Sequence, residues 1–264
     1  MRKYLVIGNP INHSLSPKIH NHWLKENRIN ATYDKLKVEN KEIKGLIQDI
    51  KQKKIAGCNV TVPFKKAVIP YLDELSLEAE KTQSVNTIVF KNNTLIGHNT
   101  DISGFTRAIK DLNFNIKNKR VFILGAGGVV PSIIFALSKM EVSKIIISNR
   151  TRQKAENLKM QFKHLNILDW GKVEDFDVII NATSLGLNNE EINLNFSNFK
   201  SDKLFYDVIY NPSETKFLKE GKRLGNKVEN GKLMFVYQAS EAFKLWHGVQ
   251  PDINEYTHKI LEDD

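Results

Sequence analysis

The chain has 264 residues, 41% of them hydrophobic and 26% charged, with a formal net charge of +9. That length allows one large or two modest domains, each with its own core. The balance excludes a disordered chain, and apolar runs such as Val178-Ile179-Ile180 and Ile145-Ile146-Ile147 are far too short to span a bilayer.

The basic N-terminus, Met1-Arg2-Lys3-Tyr4, leads only into Leu5-Val6-Ile7 before Gly8 and Asn9, which reads as a strand and not a signal peptide. Cys58 is the single cysteine, so an intramolecular disulfide and a cysteine-based metal cluster are both excluded, and a reducing cytoplasmic setting is expected. The surplus of lysine raises the question of nucleic acid. The lysines are scattered, however, with no basic arm or binding motif, and a small anionic substrate explains the charge equally well.

In chain order, Tyr4 to Ile7 is the first expected strand. The loop Gly8-Asn9-Pro10-Ile11-Asn12-His13-Ser14-Leu15-Ser16-Pro17 follows, with Ser16 and Pro17 opening a helix. Ser14 and Ser16 offer two hydroxyls beside a helix N-terminus, a place that suits a carboxylate; simple capping by Ser16 is the plainer reading. Tyr33 to Val38 is a second strand. Ile43, Leu46, Ile47 and Ile50 then recur at helical spacing, with Lys41, Lys44, Lys51 and Lys53 off that stripe as a solvated face.

Asn59-Val60-Thr61-Val62-Pro63-Phe64-Lys65 reads as a strand whose Val60 and Val62 face a core while Asn59 and Thr61 face the other way. Pro63 should end the strand and open a helix, holding Lys65 on a rigid mount. On these seven residues alone, a strand end with a solvated lysine is the simpler reading. Asp73 to Lys81 is expected to be helical, Val85 to Phe90 a strand, and Asn92-Asn93 a hairpin turn into Leu95-Ile96-Gly97. Asn99-Thr100-Asp101 precedes a helix with Phe105, Ala108, Ile109 and Leu112 inward, and Asp101 can be read as part of its cap.

The second half opens on the strand Arg120 to Leu124, the turn Gly125-Ala126-Gly127-Gly128-Val129-Val130 and a helix from Pro131 to Ser138. Strand, glycine turn and helix in that order form the phosphate-cradling start of a Rossmann unit. An NAD site usually has an acid about 20 residues past the first glycine. This chain reads Ser148-Asn149-Arg150-Thr151-Arg152 there, so a guanidinium can clamp a 2′-phosphate and NADP is favoured. Helix-dipole logic disfavours a basic helix start that binds nothing.

Strands at Asp177 to Asn181 and Lys203 to Val208 continue the doubly wound pattern, and Thr183 lies in a loop expected to border the nicotinamide. A helix around Phe217, Leu218 and Leu224, a last strand Lys227 to Glu229, and a helix Leu233 to Leu245 follow. Gln238 is the polar exception in that last helix and can equally be an exposed residue. Ile253 to Leu261 is expected to complete the first domain.

These segments together resemble the shikimate dehydrogenase family over essentially the whole chain. The matching stretches are GNPINHSLSP from Gly8, NVTVPFK from Asn59, SVNT from Ser84, NTD from Asn99, GAGG from Gly125, NRT from Asn149, ATSLG from Ala182, DVIYNP from Asp207 and GKLMFVYQA from Gly231. Three departures stand out: Pro131 where the family often has a basic residue, Leu233 where a glycine is common, and Ser84-Val85 where Gly-Ala-Val is frequent.

The resemblance implies an α/β fold of two α/β domains. Residues 1–101 with about 235–264 would form a mostly parallel substrate domain, and 102–234 a Rossmann NADP domain, with a cleft between them. It implies that Lys65 and Asp101 are the catalytic pair, that Ser14, Ser16 and Tyr210 hold a substrate carboxylate, and that Thr61, Asn86 and Gln238 bind ring hydroxyls. Gly125, Ala126, Gly127, Gly128 and Val129 would cradle the pyrophosphate, and Asn149, Arg150 and Thr151 the adenosine end, with Arg152 in support. Val208 and Gly231 would line the nicotinamide side beside Thr183. No metal is called for.

The implied reaction is reversible NADPH-dependent reduction of 3-dehydroshikimate to shikimate by a cytoplasmic monomer or homodimer. The alternatives are a quinate-using relative with NAD, a non-catalytic cofactor sensor, and a nucleic-acid-binding protein. The sensor has no use for Lys65, Asp101 and Asn86 together, since pure cofactor binding needs none of them; steep salt-dependent DNA binding without dehydrogenase activity would mark the nucleic-acid binder.

Overall fold

The computed structural model describes residues 1–199, 201–259 and 261. The chain divides into two compact units, Met1–Gly104 with Val236–Asp264, and Phe105–Phe235. Each has one six-stranded sheet.

The first unit begins with β1 (Arg2–Gly8), α1 (Ser16–Glu26), β2 (Ala31–Lys37), α2 (Ile43–Lys51) and β3 (Gly57–Val60). Strand β1 pairs in parallel with both β2 and β3, as strands joined through helices must. The helical stripe of α2 holds, with Ile43, Leu46, Ile47 and Ile50 buried and Lys41, Lys44, Lys51 and Lys53 exposed.

The sheet continues with β4 (Glu74–Leu75), α3 (Leu77–Thr82), β5 (Thr87–Lys91) and β6 (Thr94–His98). Its order is β2-β1-β3-β5-β6-β4, in which only the β3–β5 and β5–β6 pairs are antiparallel. Asn92 and Asn93, both at positive φ (50° and 62°), make the hairpin turn that asparagine tolerates best.

Two local expectations fail. The helix over Asp73 to Lys81 is instead a short strand and a later helix. Glu74 and Leu75 pair with Ile96 and Gly97, and the Ser76 side chain accepts the Ala79 N–H as the cap of α3. Strand β3 stops at Val60, so the alternation does not reach Val62, which is 54% exposed in a turn. Pro63 follows a cis peptide bond and opens no helix; the next regular turn is a 3-10 segment at Ile69–Tyr71.

The second unit contains α4 (Asp101–Asp111) from Phe105 onward, then β7 (Arg120–Leu124), α5 (Val130–Lys139), β8 (Lys144–Ser148), α6 (Arg152–Gln161), β9 (Asn166–Ile167), β10 (Val178–Asn181), β11 (Leu204–Asp207), α7 (Lys216–Arg223) and β12 (Lys227–Glu229). The order β12-β11-β10-β7-β8-β9 is parallel throughout, with crossover at β7–β10, the doubly wound switch point. Helix α8 (Lys232–His247) and α9 (Glu255–Lys259) end the chain. Within the expected terminal segment, Ile260 lies outside the described residues.

A buried aromatic cluster anchors the first unit. The His20 ring stacks on Tyr33 at 4.2 Å and packs edge-on against Trp23, and its buried Nε2 has no hydrogen-bond partner among the described residues. Burial, with His247 as a lesser cause, lowers the His20 pKa to about 3. Between that value and the ordinary 6.5 the unfolded chain holds a proton that the native chain lacks. This contribution is therefore complete above about pH 6.5 and shrinks as pH falls toward 3. His247, lowered to about 4, adds in the same direction, whereas Asp207, raised to about 6, acts oppositely. Comparison with His20→Phe isolates the single group. Wild type should lose about 2 kcal/mol more than the variant in denaturant unfolding between pH 7 and pH 5; equal losses would show that His20 is not buried neutral.

Candidate active site

Lys65 lies five residues beyond β3, in the turn that follows it. Its carbonyl accepts the Val85 N–H at 2.9 Å, so the backbone that carries the amine is tied to the start of the neighbouring strand. Its Nζ is 2.5 Å from Asp101 Oδ2, with side chains only 11% and 8% exposed. Asp101 is the first residue of α4, and its own N–H is taken by Asn99 Oδ1. Asn99, not Asp101, therefore closes that turn. An ion pair this sheltered holds its geometry far better than an exposed one.

Asn86 completes the group. Its Nδ2 donates to Asp101 Oδ1 at 3.0 Å and to Thr100 Oγ1 at 2.9 Å, and it lies 3.4 Å from Gln238 Oε1. Gln238, half-buried on α8, is thus turned toward the pair and not an ordinary exposed helix residue.

On β1's exit loop, Ser14 Oγ accepts the Ser16 N–H. Ser16 is buried at 7% but does not cap α1, whose cap position is Leu15 without a side-chain bond. Thr61 sits against Gly8 at the end of β1, its N–H bonded to the Ile7 carbonyl. Ser14, Ser16, Thr61, Lys65, Asn86, Asp101 and Gln238 all belong to the first unit; Tyr210, which stacks on Phe235 at 4.7 Å, belongs to the second.

The second unit carries the features a dinucleotide needs. The turn Ala126 to Val129 is partly or fully exposed at the start of α5, whose first turn takes Pro131 without losing a bond. A Cβ on Gly127 would meet nothing nearer than Ala182 O at 3.8 Å, so the turn leaves room beside the backbone amides for a phosphate. Gly125 is different. Its φ is +108° and a Cβ would lie 2.6 Å from Ala182 O, which forces glycine where β7 and β10 converge. Gly125→Ala should lower unfolding stability by about 2 kcal/mol or more, read as a shift in denaturant midpoint; an unchanged midpoint would remove this account of the turn.

Beyond β8, Asn149 Nδ2 donates to the Thr151 carbonyl. Arg152 is engaged by Glu156 at 2.9 Å and by Asp169. Among the described residues Arg150 has no such acid and is exposed, so the guanidinium free for an outside anion is Arg150.

Sequence reasoning missed the supports beneath these residues. Asp207 accepts bonds from Asn181 Nδ2, Thr215 Oγ1 and the Ile209 N–H, although burial pushes its pKa up to about 6. Asn181 Oδ1 in turn accepts from Thr183. The Thr183 loop and the Val208–Tyr210 loop thus share one buried hub. Its sequence signal was a polar residue at the C-terminal end of each of two buried strands.

Residues 6–88 match the shikimate dehydrogenase substrate binding domain, and residues 107–209 match shikimate / quinate 5-dehydrogenase. A Pelagibacter ubique protein named shikimate dehydrogenase (NADP(+)) is 55% identical over 262 residues, covering 99% of each chain. The chain belongs to the shikimate dehydrogenase family. The crystal structure of shikimate dehydrogenase from Aquifex aeolicus superposes with a TM-score of 0.92 at 36% identity, covering 100% of this chain and 98% of that one. The shikimate 5-dehydrogenase of Thermus thermophilus in complex with NADP(H) and shikimate does so at 0.89 and 32%, covering 99% and 98%. Among the described residues no helix is long and apolar enough to cross a membrane.

Proposed function

We infer that this protein interconverts 3-dehydroshikimate and shikimate, with NADP as its cofactor. The observation that carries this reading is the sheltered Lys65–Asp101 pair with Asn86 on Asp101's other oxygen, in a chain of this family.

NADPH supplies the hydride when bound. As the ring ketone is reduced, negative charge grows on its oxygen, and the Lys65 ammonium stabilises that charge and donates the proton; in the oxidation of shikimate Lys65 takes the proton back. Asp101 balances the ammonium and fixes the direction of its N–H bonds, so the two act as one unit. Ser14 and Ser16, with Tyr210, are suited to the substrate carboxylate, and Thr61 and Gln238 to ring hydroxyls. The Gly125 to Val129 turn fits the pyrophosphate and Arg150 the 2′-phosphate, with Asn149 and Thr151 shaping the adenosine end. Thr183, Val208 and Gly231 fall at the nicotinamide side.

Asn86 needs a narrower role than hydroxyl binding alone, because both ends of its amide are already used within the protein. A quinate-using relative with NAD is the competing assignment. Comparing kcat/KM for shikimate and quinate with each cofactor separates the two. Shikimate with NADP should exceed every other combination by at least about tenfold; quinate with NAD matching it would overturn the assignment.

A further inference from the structure

Below the Lys65–Asp101 pair, Asn86 is joined to a run of buried polar side chains, Thr87, Asn59 and Tyr33, that no step of the proposed chemistry uses. Tyr33 on β2 is 1% exposed and its hydroxyl donates to Asn59 Oδ1 at 2.6 Å. Asn59 Nδ2 donates to Thr87 Oγ1 at 2.9 Å and to the Asn86 carbonyl at 3.0 Å. Thr87 Oγ1 donates to Asn86 Oδ1 at 3.1 Å, and Asn86 Nδ2 donates to Asp101 Oδ1.

The sense of this run is fixed by backbone groups whose roles cannot reverse. The Asn86 carbonyl only accepts, so the Asn59 amide must turn its NH2 there and its oxygen to Tyr33. The Thr100 N–H only donates, to Asn86 Oδ1 at 2.8 Å, so the Asn86 NH2 must face Asp101. Every hydroxyl and amide in the run therefore donates toward the carboxylate, ending on Oδ1 and leaving Oδ2 for Lys65. At its other end the Tyr33 ring stacks on His20 at 4.2 Å. A fully satisfied buried network of this kind holds its members in one arrangement.

We propose that Tyr33, which touches neither reacting group, is a positioning residue that orients Asp101, and through it Lys65, by a one-way hydrogen-bond relay through Asn59, Thr87 and Asn86. The inference rests on the assignment of Lys65 and Asp101 as the reacting pair.

Tyr33→Phe tests it, because the variant keeps the ring and its stack on His20 and removes only the hydroxyl. In shikimate oxidation kcat should fall roughly five- to tenfold, the scale of one buried hydrogen bond. KM for NADP should stay within about twofold, since the nucleotide features lie elsewhere. Placed in a Lys65→Ala background, Tyr33→Phe should add less than about twofold further loss, as expected of residues acting as one unit. Thr87→Val breaks the same relay with Tyr33 intact, should repeat the kcat loss, and decides the matter if Tyr33→Phe does not fold.

Unchanged kcat in either folded variant overturns the relay. So does an undiminished loss in the Lys65→Ala background, which marks a general packing effect. Lys65→Ala measured alone reports separately on the reacting pair.

Discussion

Lys65→Ala is expected to lower kcat for shikimate oxidation by roughly 10²-fold or more, the range of general acid–base catalysis, while NADPH binds as tightly as to wild type. The split follows from where the amine sits. Its contacts are to Asp101 and to the turn carrying it, and all of these lie on the first unit, whereas the glycine turn and Arg150 lie on the second. Removing the amine takes away the proton donor and the charge that faces the developing alkoxide, and it leaves the Asp101 carboxylate sheltered without its cation. Cofactor affinity measured by fluorescence and turnover measured by NADPH absorbance separate these effects. Near-normal turnover would remove Lys65 from the mechanism; a parallel loss of cofactor affinity would mean the variant is misfolded or the amine has another task.

The second large effect concerns cofactor choice. Arg150→Gln should raise KM for NADPH by about 10- to 100-fold, the worth of a charge-assisted bond to phosphate, and should leave KM for NADH nearly unchanged. Arg152→Gln should do much less, because its guanidinium already serves Glu156 and Asp169. The two variants together test whether the free guanidinium or the general basicity of the segment selects the phosphate. Equal effects would favour general charge, and a loss shared by NADH would place Arg150 on some other part of the nucleotide.

Much of this was legible before any coordinates. The stripe of α2 and the glycine turn before α5 are periodic or stereochemical signals confined to a few residues, and both hold. The asparagine hairpin holds for the same reason. What failed depended on partners distant in sequence. Glu74 and Leu75 carry helix-compatible residues but are claimed by β6, and Val62 escapes the alternation because the strand ends two residues earlier. At the site, Lys65 and Asp101 were singled out by the family resemblance of the stretches that carry them, since by residue type alone a solvated lysine and a helix cap were the simpler readings. Tyr33, Asn59 and Thr87 do not stand out, since a buried tyrosine on one strand and an asparagine on another look like packing until the sheet places them side by side. Arg150 and Arg152 were equivalent by residue type; only the positions of Glu156 and Asp169 distinguish them.

The most direct single measurement is the rate of NADPH formation by the wild-type protein given NADP and shikimate, against a blank without shikimate. The account predicts saturable, shikimate-dependent formation that runs backward when 3-dehydroshikimate and NADPH are supplied instead. A protein that binds NADPH yet gives no rate above the blank in either direction would contradict it.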